Sequence, residues 1–525
     1  MNNIKHILFA SVLMASMTAT AQETYQDAKL AAPQLTGTAR YVGMGGAMEA
    51  LGADISTMSS NPAGIGLMRK SMVSVSAGVV AQTDANTSLS IDGVPFSFEG
   101  KKSKPSFDQA GFVWACNTNS TSNIRINVGF NYHKNTNFSQ ILSAANYLNG
   151  SSQSKWASAK REYAEGVYDK YGQDATDRIW NAVDENYKEL MGVADDGTQA
   201  VYDGKSYLFG QYQKGYIGEY DFSLGLSFNN RVWAGLTIGI HDVHYNSHSD
   251  YQENFVAEET AFGKTSEDLK ITGTGFDVKA GVIFRPVEDS PFRIGAYVNS
   301  PIFYDLSMYG WSYLDITEGD IQGKHDNGGN LDFRLNTPWK LGVSLGHTVG
   351  SNLALGATYE YAWYDHMDNR VKNGSYYDYY YDTYYESSSS DDLMNKHTRN
   401  SLQGVSTLKL GLEYKPISML ALRLGYNYVS PMFKSSADRD QTIASQGTAY
   451  ATSTDFTNWK ATNRFTCGLG FNYASLSIDV AYQYSCQKGD FYPFADWSSK
   501  YAPGTSATQV KNNRHQLMMT VGYKF

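Results

Sequence analysis

Apolar residues recur at every second position in one segment of this chain after another. Tyr220, Phe222, Leu224, Leu226 and Phe228 form one row, and Val232, Ala234, Leu236, Ile238 and Ile240 form the next. Leu408, Leu410, Leu412 and Tyr414 alternate with Lys409, Gly411 and Glu413. Leu420, Leu422, Leu424, Tyr426 and Tyr428 enclose Arg423 and Asn427, while Leu476, Ile478, Val480, Tyr482 and Tyr484 enclose Asp479 and Gln483. Successive side chains of a strand point to opposite faces, so each row is one apolar face with the charges kept on the other. The pattern predicts about fourteen strands: 72–82, 109–115, 124–138, 219–228, 232–245, 271–285, 292–304, 333–348, 353–364, 404–415, 419–430, 464–473, 475–485 and 514–525.

Alternation alone also fits a soluble sandwich, where it divides core from water. The connections decide between the two. Short links (116–123, 229–231, 286–291, 349–352, 416–418 and 474) alternate with long ones (83–108, 139–218, 246–270, 305–332, 365–403, 431–463 and 486–513). Short turns at one end and long loops at the other mark an outer-membrane barrel, with turns periplasmic and loops outside. A Lys or Arg on the lipid face at the bilayer midplane would cost about 2–4 kcal/mol, which explains rows free of charge. The expected fold is therefore all-β, a transmembrane antiparallel β-barrel over 72–525 in the outer membrane, surrounded by its lipid. The final strand agrees. Leu517, Met519, Val521, Tyr523 and Phe525 share one face, with Gln516, Thr520, Gly522 and Lys524 mainly on the other. A terminal aromatic on the apolar face is similar to the signal read by outer-membrane barrel assembly machinery, so Phe525 is the expected contact with it.

Composition changes this picture little. A mean hydropathy of -0.41 would by itself suit a soluble protein. A barrel averages lipid-facing and lumen-facing residues to such a value while keeping a high aromatic content, and this chain holds 39 Tyr, 24 Phe and 9 Trp. After the first residues no run of eighteen apolar positions occurs, so no helical span is expected. Met1 to Ala21 reads as a secretory signal: Lys5 and His6, an apolar run from Ile7 to Met17, then Ala19-Thr20-Ala21 at a cleavage site before Gln22. A net charge of -9 without a basic stripe gives no reason to expect nucleic acid. Cys116, Cys467 and Cys486 are odd in number and lack C-x-x-C spacing, which speaks against a disulfide framework or zinc site. A Cys467–Cys486 bond stays open.

Two loops have internal character. In 151–191, Trp156, Tyr163, Val167 and Tyr171, then Ile179, Val183, Tyr187 and Leu190, recur at helical spacing and predict two amphipathic helices over the barrel mouth, within a helical loop at about 141–217. Loop 365–403 carries a tyrosine cluster at 376–385 and a Ser/Asp run. It reads either as a sugar- or calcium-linked binding surface or as a solvated surface loop.

Between signal and first strand, residues 22–71 contain Ala39-Arg40-Tyr41-Val42-Gly43-Met44-Gly45-Gly46-Ala47, then Ala53-Asp54, then Asn61-Pro62-Ala63-Gly64. No strand precedes these glycines and no Lys-Ser/Thr pair follows, so a phosphate loop is excluded. With Arg40, Asp54 and Asn61-Pro62-Ala63, the stretch resembles the N-terminal hatch of the FadL/TodX family of outer-membrane hydrocarbon transporters. The resemblance implies a hatch at 22–71 in the lumen, no cofactor, and a hydrophobic ligand such as a long-chain fatty acid or an aromatic hydrocarbon. It also implies capture by the outer loops and lateral release into lipid through an inward kink in the third strand, contacted by Asn-Pro-Ala. For a chain of ~16 carbons, staying out of water is worth on the order of 12 kcal/mol. The kink would fall at Gly129, Phe130, Asn131, Tyr132 and His133, with His133 where a glycine would ease a bulge. Gly129 and Asn131 fit ordinary lumen positions equally well. Basic lumen residues would meet the ligand head group. Arg293, Lys409 and Arg423 are the candidates, with pairing to Asp277, Glu413 or Asp479 as their other role.

A monomer is expected. The second functional reading is a plugged or open porin for small polar solutes. Catalysis is not expected: His241, His244 and His248 follow one strand, yet no nucleophile or paired-carboxylate motif accompanies them. They read as girdle or lumen residues, and a heme-uptake role lacks a paired motif.

Overall fold

The structure, a computed structural model, describes residues 23–116, 124–156, 192–193, 199–200, 202–256, 262–318, 321–380, 382–439, 454–495 and 505–525. The predicted signal segment lies outside the described residues, as do the two predicted loop helices beyond the helical turn at 153–156.

The strands form a closed 14-strand antiparallel barrel. In chain order they are β1 (Met72–Thr83), β2 (Ser103–Cys116), β3 (Ile124–Asn137, then Gln140–Tyr147), β4 (Gly204–Phe228), β5 (Val232–Phe255) and β6 (Phe262–Phe284). There follow β7 (Arg293–Asn299, then Phe303–Glu318), β8 (Ile321–Asn336, then Lys340–Val349) and β9 (Leu353–Ala362, then Asp368–Asp378). The last are β10 (Thr383–Ser390, then Val405–Ile417), β11 (Leu420–Val429), β12 (Phe456–Tyr473), β13 (Leu476–Tyr492) and β14 (Thr508–Lys524). Closure comes from β1, which pairs with β14 from Met72↔Lys524 to Thr83↔Asn513 and with β2 on its other edge. Each strand thus has a neighbour on both edges, as backbone in a bilayer requires, although β2 and β3 share only part of their length.

The predicted rows face outwards. Leu517, Met519, Val521, Tyr523 and Phe525 are 40–56% exposed on β14, while Thr520 points into the lumen. Among the described residues no helix is long and apolar enough to cross a membrane. A closed barrel wearing an apolar belt is an outer-membrane structure, and the outer membrane is where this protein resides.

All predicted strands are present, but most reach further on the long-loop side. Links predicted at 246–270 and 305–332 are largely strand: β5 continues to Phe255, β6 begins at Phe262, and β7 and β8 run on to Glu318 and from Ile321. Beyond the bilayer both faces meet polar surroundings, so the ladder continues after the apolar alternation has ended. The tyrosine loop is corrected in the same way. Asp368–Asp378 and Thr383–Ser390 pair as a hairpin with Tyr379 and Tyr380 exposed near its tip, followed by a helix, Asp392–Ser401. The region expected as a helical loop at 141–217 contains the end of β3 and the first part of β4. Cys116, Cys467 and Cys486 are all free thiols. Cys467 stands opposite Tyr482, four positions along the ladder from Cys486, so the two cannot bridge.

Candidate functional site

Residues 23–71 run inside the barrel in short, individually capped pieces. Helix α1 (Thr24–Ala31) starts on the Glu23 carboxylate, which accepts from the Tyr25 and Gln26 amides. It rests against α3 (Asp392–Ser401) through Thr24 Oγ1, 2.8 Å from His397 Nδ1 and 3.0 Å from Thr398 Oγ1. Helix α2 (Ala39–Gly43) is capped by Thr38, whose hydroxyl donates to Asp54 at 2.9 Å. Asp54 in turn caps a 3-10 turn at Ile55–Ser59. Asn-Pro-Ala begins a second turn, Pro62–Leu67: Asn61 Oδ1 accepts from the Ala63 amide, and proline fills the first position, where a missing N–H costs nothing. The amide of Asn61 also donates to the Glu49 carbonyl at 3.0 Å. The motif is therefore a local stop-and-turn device.

Lumen-facing glycines make the space for this segment. A Cβ on Gly225 of β4 would collide with Ile65 and Gly66, on Gly235 of β5 with Pro62 and Ala63, and on Gly281 of β6 with Asn61. Further round the wall, Gly356 of β9 faces Ala47, Gly411 of β10 faces Met44, and Gly425 of β11 faces Gly45. Gly295 of β7, Gly346 of β8 and Gly468 of β12 continue the series against Asn61, Leu51 and Gly43. One glycine per strand from β4 to β12 thus lets backbone approach backbone. Many are neighbours across the ladder, such as Gly225↔Gly235, Gly235↔Gly281, Gly356↔Gly411 and Gly411↔Gly425. The sequence reading overlooked this row, although a glycine at a lumen position near each strand centre was its signal.

Charged pairs fasten the segment at three points, one of them Glu23 with Arg439 at 3.6 Å. Arg40 donates to both oxygens of Glu413 at 3.0 and 3.3 Å, and Arg423 donates to Glu413 at 2.7 Å and Asp479 at 2.7 Å. Lys409 lies 2.8 Å from Glu49, which also accepts from Tyr41 and Thr358. Of the three basic candidates, Arg423 therefore has the predicted carboxylate partners, and Lys409 has one in the N-terminal segment. Arg293 departs from expectation: it donates to the Leu51 carbonyl at 2.8 Å and lies over the Trp233 ring. A backbone acceptor of the segment occupies the place where a carboxylate was expected.

On the third strand the pairing with β2 stops short. β2 pairs with β3 only from Cys116↔Ile126 to Gln109↔His133. Beyond that, Ser103–Phe107 of β2 continue on β1 alone, and β3 continues on β4 alone. A bulge at Asn135 shifts the register on β4, and the strand breaks at Phe138–Ser139. Its second half bends over β1, where the Gln82 side chain exchanges two 2.7 Å hydrogen bonds with the Ile141 backbone. Lys134 reaches across the parting to Ser106 Oγ at 2.7 Å. Phe130 and Tyr132 face outwards, Tyr132 stacked on Phe107 and Phe130 tilted against Phe112, while Asn131 and His133 are buried in the lumen wall. Gly129 gives room to Met58. Asn127 donates to the carbonyls of Ile65 and Met68, so the turn opened by Asn-Pro-Ala touches β3 through its far end; Asn61 and Pro62 sit on β5 and β6.

Above the segment, and reaching this parting, lies a cavity of about 230 Å³. Val80, Leu142, Phe138 and Leu35 give it apolar wall; its charged lining includes Arg464 and Arg514 as well as Lys29, Lys134, Arg439 and the carboxylates of Glu23, Asp108 and Asp455. Arg464 donates to Asn427 Oδ1 and the Pro33 carbonyl, both at 2.8 Å, and Arg514 to the Asn137 carbonyl at 3.2 Å. Among the described residues neither has a carboxylate partner. Both were passed over in the sequence, although they share the inward parity of Thr466 and Met518 on their strands.

No protein-family model and no curated protein matches the sequence. Solved structures do. A FadL homologue of Pseudomonas aeruginosa aligns over 94% of this chain and 99% of its own, with 12% identity and a TM-score of 0.51. The chain has the FadL fold. The Ralstonia pickettii toluene transporter TbuX aligns over 94% and 99% of the two chains at 13% identity and a TM-score of 0.48. The CymD monoaromatic hydrocarbon channel aligns over 94% and 98% at 9% identity, also with a TM-score of 0.48.

Proposed function

We propose that this FadL-type barrel is a transporter, not an enzyme, and carries hydrophobic small molecules with an anionic head, of the long-chain fatty acid class, across the outer membrane. The observation that carries the reading is the cavity between the N-terminal segment and the parting of β2 from β3. In a lining that also holds Glu23, Asp108 and Asp455, it offers apolar wall for a tail and, for a carboxylate, two guanidinium groups that have no carboxylate partner among the described residues. Ligand taken up by the outer loops enters this cavity and leaves sideways between β2 and β3 into lipid, with Lys134 and Ser106 as the contact that parts. The segment at 23–71 acts as the hatch that denies the ligand a wet path to the periplasm. A neutral aromatic hydrocarbon fits the apolar wall but leaves the arginines unused.

The test is binding and uptake of palmitate by the purified barrel in detergent and by cells. Arg464→Ala with Arg514→Ala removes two charge-assisted contacts worth about 1.5–3 kcal/mol each. Palmitate binding should fall by at least tenfold, while toluene uptake is unchanged. Equal loss for both ligands would defeat the assignment of an anionic head. The porin reading is tested by planar-bilayer conductance: a large steady current from the intact chain would favour it over the hatch.

A further inference from the structure

Below the parting of β2 and β3, four strands bring a second set of polar side chains together inside the wall. β3 supplies His133, β4 supplies Glu219 and Asp221, β5 supplies His241, and β6 supplies Asp277 and Lys279. All six are buried. Lys279 Nζ lies 2.6 Å from Glu219, 2.8 Å from Asp277 and 3.1 Å from Asp221. Three carboxylates thus face one ammonium, a formal excess of two negative charges when all three are ionised. Burying such an excess without compensation is prohibitive.

His241 is the unusual member. Its side chain is wholly buried, and neither ring nitrogen makes a hydrogen bond. Nε2 lies 3.3 Å from Asp277 Oδ1, and Nδ1 lies 3.9 Å from Glu219 Oε2. These separations are too long or too poorly aligned for hydrogen bonds. An ion takes only one nitrogen of the ring, and the Nε2–Asp277 separation matches the edge of a metal coordination shell, about 3.3 Å between donors for ~2.0 Å bonds in a tetrahedron. Glu219, His241 and Asp277 offer one ligand atom each within 4.8 Å of one another, and His133, Glu219 and Asp221 form an overlapping set. Asn135 donates to Glu219 Oε2, and Asn131 lies 3.4 Å from His133 Nδ1, so side chains around the cluster orient its donors.

The geometry points to a structural site for one divalent transition ion, bound by Glu219, His241 and Asp277, with Lys279 retained beside it. An imidazole with two carboxylates suits zinc or manganese, and the imidazole disfavours calcium and magnesium. The ion balances the two excess charges. It also ties β4, β5 and β6 together next to His133, at the height where β3 leaves β2, and so stiffens the wall behind the opening.

The experiment uses the full mature chain, folded in detergent, stripped with a chelator and reloaded with Zn²⁺, Mn²⁺ or Co²⁺. A single ion per chain should survive desalting, and Co²⁺ should show the visible d–d bands of a nitrogen- and oxygen-ligated low-symmetry site. His241→Ala and the isosteric Asp277→Asn should weaken retention by roughly tenfold or more, while heat-modifiable migration reports that the barrel is intact. If neither variant folds, the Co²⁺ spectrum of the wild type decides alone. Absence of a retained ion or of the Co²⁺ bands, or unchanged retention in folded variants, would mean that protons on the cluster's own side chains balance it and would overturn the proposal.

Discussion

At the scale of single residues, charge decides how the N-terminal segment is held. Asp27 on α1 is wholly buried, with the Asn369 amide nearby and no cation paired with its carboxylate among the described residues. Burial first, then the neighbouring Glu23, push its carboxyl well above the usual carboxylate range. The docked segment therefore holds a proton that the released segment loses. Docking is strongest below the ordinary aspartate value of about 3.9 and weakens as pH rises from there towards the raised value. Asp27→Asn should flatten this dependence and slow proteolytic release of the segment at neutral pH; an unchanged pH profile of release would refute it. Glu413 acts in the opposite sense. It is buried among Arg40, Arg423 and Lys415, so Glu413→Ala leaves three cations together with only Asp479 to balance Arg423 and should cost about 3 kcal/mol, read as a lower urea midpoint in detergent. Arg40→Ala should cost less, because Arg423 still neutralises the carboxylate. The sequence made Arg423 legible, since strand parity puts Glu413 and Asp479 on its face. It could not show Arg40 as the third member, because that contact joins residues 373 positions apart through the closed barrel.

At the scale of elements, alternation carried most of the fold. Rows such as Leu408 to Tyr414 marked strand faces because lipid demands apolar side chains there, and the same demand fell silent outside the bilayer. That is why β5 was traced to about 245 and not to Phe255. The behaviour of β3 was half legible. The resemblance implied a kink at Gly129 to His133, whereas β3 stays paired with β2 through His133, with a bulge at Asn135 and a break at Phe138–Ser139. A bulge has no hydrophobic signature; it is fixed by which neighbour the strand follows. Deleting Asn135 should restore a common register and let β3 zip further along β2. The expected result is a barrel that folds and reaches the surface normally yet takes up palmitate at least tenfold more slowly. Wild-type uptake by that variant would exclude release at this opening.

At the scale of the whole molecule, the glycine row ties the barrel to its filling. A pore with 48 glycines in its sequence has no need to place one on the lumen side of each strand from β4 to β12, because side chains there would meet only water. The placement makes sense when a backbone must lie flat against the wall, as residues 43–66 do. It predicts a way to separate barrel from filling. The strands are held by their closed ladder and lipid-facing rows, neither of which involves the lumen face of Gly235 or Gly356. Gly235→Leu with Gly356→Leu would drive side chains into Pro62 and Ala47 and lift the segment off the wall at two places. Barrel content by circular dichroism and heat-modifiable migration should stay as in the wild type. If the segment is a hatch, the displaced filling opens a continuous aqueous path, and planar bilayers should pass a steady current absent from the parent. Palmitate uptake should fall at the same time, since the cavity loses the floor formed by Pro33 to Thr36. A folded variant with parental conductance and parental uptake would show that the segment neither closes the lumen nor shapes the ligand site.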